Sequence, residues 1–154
     1  MLEFLSNIGV GLLLVLVAVT IGAIFYDRLV LRARARKFSH RKRLSEAEIH
    51  ARYYAHSDFS PAELAAVWSV VARIVLIDPQ LMRPTDRFEI ELAPTIWTDS
   101  SDSETSDLFM YLGLACDQSE LRWDPTTVVT IDDAVELLCQ CQRIKGLPNP
   151  DAVR

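Results

Sequence analysis

Glycine, cysteine and histidine are scarce in this sequence, and one long stretch carries no charge at all. Each shortage excludes something. The five glycines never cluster, so there is no Gly-rich loop of the kind that wraps a phosphate in backbone N–H groups. Gly9-x-Gly11 and a lone Gly22 also miss the four-residue spacing by which membrane helices pack closely. The three cysteines are Cys116, Cys139 and Cys141. Cys139-x-Cys141 has no second ligand pair and the three histidines lie far upstream, so no metal is expected. The cysteines read as reduced, small apolar residues of a helix. No nucleophile stands at a telling distance from a general base, and the carboxylates are spread as a surface spreads them, which gives an enzyme no support. No strand alternation, internal repeat or long low-complexity tract is present; Thr126–Val129 is β-prone but short.

The absence of charge is the strongest positive signal. From Phe4 to Tyr26, 23 residues run without Asp, Glu, Lys or Arg. As a helix that run reaches about 34 Å, enough for a hydrocarbon core of about 30 Å. It has no polar face, and Phe25 and Tyr26 stand at one end, where aromatic rings favour the headgroup zone. A cleaved signal peptide needs a basic start and a small-residue cleavage site, and neither is there. A single transmembrane helix is expected. Behind it come Arg28, Arg32, Arg34, Arg36, Lys37, Arg41, Lys42 and Arg43, an excess of cations that stays on the cytoplasmic side. The expected placement is therefore single-pass in a bacterial inner membrane, N-terminus outside and everything after Arg28 in the cytoplasm. Arg32, Arg34, Arg36, Lys37, Arg41, Lys42 and Arg43 are the candidate membrane-surface residues, with a bilayer of anionic headgroups as partner.

The net charge of −5 conceals an asymmetry. Residues 1–43 carry +6 and the remainder −11. So acidic a domain repels phosphate, which argues against nucleic acid and for a basic protein partner.

Along the chain, the pattern divides into a transmembrane anchor (1–27), a basic juxtamembrane segment (28–43), a connecting helix (44–57), an acidic helical domain (58–146) and a flexible tail (147–154). Ser45 with Glu48 is a capping box, and Leu44 with Ile49 a hydrophobic staple, for a helix expected over Glu46–His56. Ser60, Pro61 and Glu63 repeat the signature, with Phe59 and Leu64 as staple. Leu64, Val67, Trp68, Val71, Ile74 and Val75 then form one apolar face of a helix expected to end near Ile77, before Asp78-Pro79. Phe88 and Leu92 are four apart, so one short turn buries both. The polar run TDSSDSETSD from Thr98 leads into a helix expected from Asp102 or Ser103, with Leu108, Phe109, Tyr111, Leu112 and Ala115 inward. Thr130 with Asp133 caps a last helix that stops at Gly146. The fold class is all-α.

The residues from Ser60 to Cys141 resemble the acyl carrier protein family. Two stretches carry the likeness. Ile77-Asp78-Pro79 through Arg83-Pro84-Thr85-Asp86-Arg87-Phe88-Glu89-Ile90-Glu91-Leu92 is similar to the family's first loop, whose Phe and Leu plug the bundle. Thr130-Ile131-Asp132-Asp133-Ala134-Val135 is similar to the start of its last helix. The resemblance implies a small acyl-carrier-like helical bundle behind the single transmembrane helix. In that family a serine in Asp-Ser-Leu receives 4'-phosphopantetheine. This sequence has no Asp-Ser-Leu; the family's spacing puts Asp102 there, flanked by Ser101 and Ser103, and a carboxylate cannot accept the phosphoester. No cofactor is therefore expected, and the role implied is a non-catalytic interaction module whose edge Asp99, Asp102, Glu104 and Asp107 meets a basic surface. The alternative is a membrane-tethered acyl or aminoacyl carrier bearing 4'-phosphopantetheine on a serine in 100–106, with Ser103 and Ser101 as candidates.

Overall fold

The structure, a computed structural model, describes residues 35–93 and 103–153 throughout, and between residues 15 and 33 separate positions that are all helical. Most of Phe4–Tyr26 lies outside the described residues. Val15, Val17, Val19, Ile21 and Phe25 within that run, and Leu29 after it, are exposed apolar side chains. No helix among the described residues is long and apolar enough to cross a membrane.

Four α-helices follow: α1 (Glu46–Tyr53), α2 (Pro61–Ile74), α3 (Ser103–Ser119) and α4 (Ile131–Lys145), with 3-10 turns at Pro125–Thr127 and Pro150–Val153. Among the described residues the one β pairing is an isolated bridge between Arg87 and Thr130. The described chain is all-helical.

Local chemistry starts three of the helices. Ser45 N–H donates to Glu48 at 2.8 Å, Ser60 N–H to Glu63 at 2.8 Å and Thr130 N–H to Asp133 at 2.7 Å, while each cap hydroxyl accepts from the N–H three residues on. Each such cap contributes about 1 kcal/mol. The helix ends are set by tertiary contacts. α1 stops at Tyr53, short of His56, because Tyr54 turns inward. Its hydroxyl donates to Asp132 at 2.7 Å and its ring meets Trp68 edge-on at 6.4 Å. α2 stops at Ile74, before Ile77. Leu76 takes a left-handed φ of 53°, and Ile77 N–H reaches back to the Ala72 carbonyl at 3.0 Å, the closure of a Schellman turn.

α4 lies against both α2 and α3, and α1 covers the start of α2. The shared core is Val67, Trp68 and Val71 of α2, Leu108, Tyr111 and Leu112 of α3, and Ile131, Val135 and Leu138 of α4. Burial of each such large side chain contributes about 1.5–3 kcal/mol. Trp68 Nε1–H is satisfied by the Pro79 carbonyl at 3.0 Å. The segment from Leu147, expected as a flexible tail, is docked instead. Pro148 is buried and its carbonyl accepts from the Tyr111 hydroxyl at 2.8 Å, and Asp151 pairs with Arg73. The proline-rich composition suggested fraying; the buried tyrosine hydroxyl, which needs a partner, holds the segment down.

Arg143 near the end of α4 closes the bundle. Its Nε donates to Glu63 at 3.0 Å, its Nη2 reaches the Asp58 carbonyl, and its guanidinium lies 5.0 Å over the Phe59 ring. The Glu63 carboxyl is held at about 2, below its ordinary 4.5, first by Arg143 and then by Ser60. A depressed carboxyl adds stability that is fully present above the unfolded value and lost as pH falls through the folded one. The melting-temperature difference between wild type and Glu63→Gln should therefore be constant at neutral pH, shrink below about 4.5 and vanish near pH 2.

Two glycines should respond in opposite directions. Gly146 sits at φ 82°, ψ 172° with open space where a Cβ would go, a conformation reserved for glycine. Gly113 lies inside α3, where an added Cβ meets Trp123 at an ordinary 3.6 Å. In chemical denaturation Gly146→Ala should destabilise by about 1–3 kcal/mol through backbone strain alone. Gly113→Ala should stabilise by up to about 1 kcal/mol through helix propensity.

Candidate functional site

After α2 the described chain runs from residue 75 to 93 without regular structure, and Pro84, Asp86 and Phe88 pair with the start of α4. Phe88 N–H donates to the Val129 carbonyl at 3.1 Å, Ile131 N–H to the Asp86 carbonyl at 2.9 Å, and Asp132 N–H to the Pro84 carbonyl at 3.0 Å. This pinning buries Phe88 and Leu92, as the plug pattern predicts. Phe88 meets Phe109 of α3 edge-on at 5.6 Å, and Phe109 stacks on Trp123 at 6.1 Å.

A cleft of about 720 Å³ opens beside this aromatic row. One wall is Phe88, Glu89 and Ala93 of the loop, the second is Thr105, Ser106 and Phe109 of α3, and the third is Pro125, Thr126, Val128 and Val129. Phe109 and the two valines make an apolar floor, and the Thr105, Ser106 and Thr126 hydroxyls ring its edge. The Thr126 side is rigid: its hydroxyl and N–H donate to Asp124 at 2.7 and 2.9 Å, which lowers that carboxyl. Across Val128 a second groove of about 590 Å³ runs between Trp123 and α4, bordered by Asp133 and Glu136. Burial, then Asp132 and Asp133, raises the Glu136 carboxyl. Such a pair of clefts can hold an apolar group or side chain beside hydroxyls.

The acidic edge is only partly visible. Asp99, Asp102 and Ser101 lie outside the described residues. Ser103 opens α3 and Glu104 follows it, both with side chains outside the description. Asp107 is half-buried on α3 and engaged in an interaction. Ser106, within the 100–106 stretch, is exposed at the cleft. Ser106 does not stand out in the sequence as lining a cleft, because the loop wall of Phe88, Glu89 and Ala93 comes from residues 13 or more positions away.

The basic segment divides in two. Arg28, Arg32 and Arg36 recur every fourth residue and are exposed; Arg34 lies outside the described residues. Lys37, Arg41, Lys42 and Arg43 instead reach the domain. Arg41 pairs with Asp86 at 2.8 Å, Arg43 with Asp78 at 3.4 Å and Lys42 with Glu48 at 3.5 Å, and Lys37 donates to the Ile90 carbonyl at 3.1 Å. Sequence reasoning missed this division. Its one signal is Phe38, an isolated aromatic in the cationic run, which is buried.

The histidines and cysteines lie apart from the cleft lining. His50 Nε2 lies 3.2 Å from the Phe59 carbonyl, while His40 and His56 are exposed. Among the described residues no three His, Cys, Asp or Glu side chains converge as a metal site. Cys116 and Cys141 bring their sulfurs to 3.8 Å in the core between α3 and α4, and Cys139 is buried on a different face of α4, toward Glu63 and Arg143. Burial pushes the Cys139 thiol up to about 12, and burial followed by Cys141 raises Cys116. Thiols so protonated are poor nucleophiles. Iodoacetamide at neutral pH should leave all three unmodified in the folded protein over a period that labels all three in denaturant.

Compared with known proteins, the chain matches no family model, no curated sequence and no solved structure.

Proposed function

We propose that this chain is a non-catalytic, single-pass membrane protein that holds an acyl-carrier-like helical domain at the cytoplasmic face of a bacterial inner membrane, as a docking module for a basic protein surface. The anchor is supported by the uncharged run Phe4–Tyr26 and by Val15, Val17, Val19, Ile21 and Phe25 within it, which are helical with exposed apolar side chains. Among the described residues, exposed Arg28, Arg32 and Arg36 face anionic headgroups. The carrier-like character is supported by element order: a helix, a long loop plugged by Phe88 and Leu92, a second helix, a short 3-10 turn and a last helix.

The observation that carries the docking role is the cleft of Phe88, Phe109 and Val129 at the start of the acidic helix. Asp99, Asp102, Glu104 and Asp107 steer a basic partner toward it, and the apolar floor receives a side chain.

A second reading has one observation in its favour. Ser106 is exposed on the cleft's edge near the N-terminus of α3, where backbone N–H groups favour a phosphate. A carrier would hold 4'-phosphopantetheine there, or on Ser103 or Ser101, the group supplying a thiol for acyl transfer.

Co-expression with a phosphopantetheinyl transferase, followed by intact-mass measurement, separates the two. The docking module keeps its unmodified mass. A gain abolished by Ser106→Ala, Ser103→Ala or Ser101→Ala establishes the carrier. Reversing Asp102, Glu104 and Asp107 to lysine should also abolish partner recovery in low-salt pull-downs; unchanged recovery removes the acidic edge from the proposal.

A further inference from the structure

The basic segment does not lead away from the domain; its second half lies back upon it. Phe38 is 2% exposed, and the Arg41 guanidinium stands 4.4 Å over its ring. Through Nη1 the same guanidinium donates to Asp86 Oδ2 at 2.8 Å and to the Leu81 carbonyl at 3.2 Å. Asp86 is itself 2% exposed, and the same carboxylate oxygen accepts from Arg83 N–H at 2.8 Å. On either side Lys37 donates to the Ile90 carbonyl, Leu44 N–H donates to the Gln80 carbonyl at 3.0 Å, and Arg83 reaches back to the Lys42 carbonyl. A buried carboxylate stays charged only when it is paired and hydrogen-bonded. Arg41 supplies the charge.

Asp86 is also the residue whose carbonyl accepts from Ile131 N–H, flanked by the Phe88 to Val129 and Asp132 to Pro84 bonds. Those three bonds hold Phe88 and Glu89 as the loop wall of the cleft. We infer that residues 37–44 are an inward strap, and that its Arg41–Asp86 pair fixes the cleft's loop wall. Arg41 is a positioning residue for the site, and the cleft is complete only while the strap is docked. The helical residues 35–37 are thereby coupled to the site through folded structure, where the sequence pattern suggested a membrane-surface segment. This bears on the docking role only through the cleft wall, and the strap can be read without any partner.

Hydrogen exchange on the full chain in detergent micelles tests it. In Arg41→Gln the amides of Phe88, Ile131 and Asp132 should exchange about tenfold faster than in wild type, with Val71 and Leu138 unchanged. Arg41→Lys, which keeps a cation for Asp86, should return those three amides to within about threefold of wild type. Wild-type rates at the three amides in Arg41→Gln would overturn the inference. So would an equal rise at Val71 and Leu138, or Arg41→Lys exchanging as fast as Arg41→Gln. If Arg41→Gln does not fold, Phe38→Leu gives the same readout: selective acceleration at the three amides supports the strap, and unchanged rates overturn it. Partner pull-downs are a separate experiment, so failure of the docking role leaves this result standing.

Discussion

Residues 75–93 cross the face of a helical bundle with no helix or sheet to satisfy their backbone, and buried N–H and C=O groups must find partners somewhere. Local turns satisfy part of them, as where Leu81 N–H donates to Asp78 and Leu92 N–H to Arg87, and Pro84, Asp86 and Phe88 find theirs at Val129, Ile131 and Asp132, where α4 begins. The arrangement starts from one carboxylate. Asp133 Oδ2 accepts from Val129 N–H at 2.9 Å, Thr130 N–H at 2.7 Å and the Thr130 hydroxyl at 2.8 Å. Burial works against ionisation there, yet the bonds from Thr130 and Val129 prevail and the carboxyl is lowered. A helix cap thus orients two residues beyond its own helix. Val129 offers its carbonyl to Phe88, the first two N–H groups of α4, on Ile131 and Asp132, donate to Asp86 and Pro84, and the seated loop turns Phe88 toward Phe109. The cleft follows from a capping box.

The same economy governs the cations. A basic run after a hydrophobic span is ordinarily explained by topology alone, since eight like charges next to a membrane oppose translocation. Here the domain they adjoin is strongly acidic, so the run also has carboxylates within reach. Arg28, Arg32 and Arg36, on a helix and spaced by four, stay exposed, while Arg41, Lys42 and Arg43 meet Asp86, Glu48 and Asp78. Exposed pairs such as Lys42–Glu48 contribute little, because water screens them. Arg41 differs because Phe38 and the loop shield its pair from water.

What the sequence made legible was local. Ser45 with Glu48, Ser60 with Glu63 and Thr130 with Asp133 are interactions over three residues, and each formed where the pattern placed it. The inward faces of α2 and α3 follow from periodicity and are found buried, except that Phe109 is half-buried at the cleft. What stayed hidden depends on distance along the chain. Tyr54 ends α1 by reaching Asp132, 78 residues on, and Arg41 finds Asp86 across 45. No spacing rule encodes either. The docked tail was misread for a similar reason: Pro148 and Pro150 describe the local backbone, whereas the Tyr111 hydroxyl that holds Pro148 sits 37 residues upstream. The cleft was illegible too, since three separate segments build it and none shows a motif for it.

Why a buried ion pair should sit at this position is a question of specificity more than of stability. Desolvating Asp86 and Arg41 costs several kcal/mol, and a well-packed apolar pair of similar volume often does as well or better, whereas removing one partner costs about 3–5 kcal/mol. An apolar contact between segment and loop would tolerate sliding, because hydrophobic burial has no direction. The Asp86 carboxylate does not: its one oxygen must accept from both Arg41 and Arg83 N–H, with the Leu81 carbonyl accepting from the same Arg41 Nη1. Only one register of residues 37–44 against residues 81–90 meets those three demands together. The pair is therefore best understood as fixing where the strap crosses the loop, with Phe38 supplying the burial that makes a wrong crossing costly.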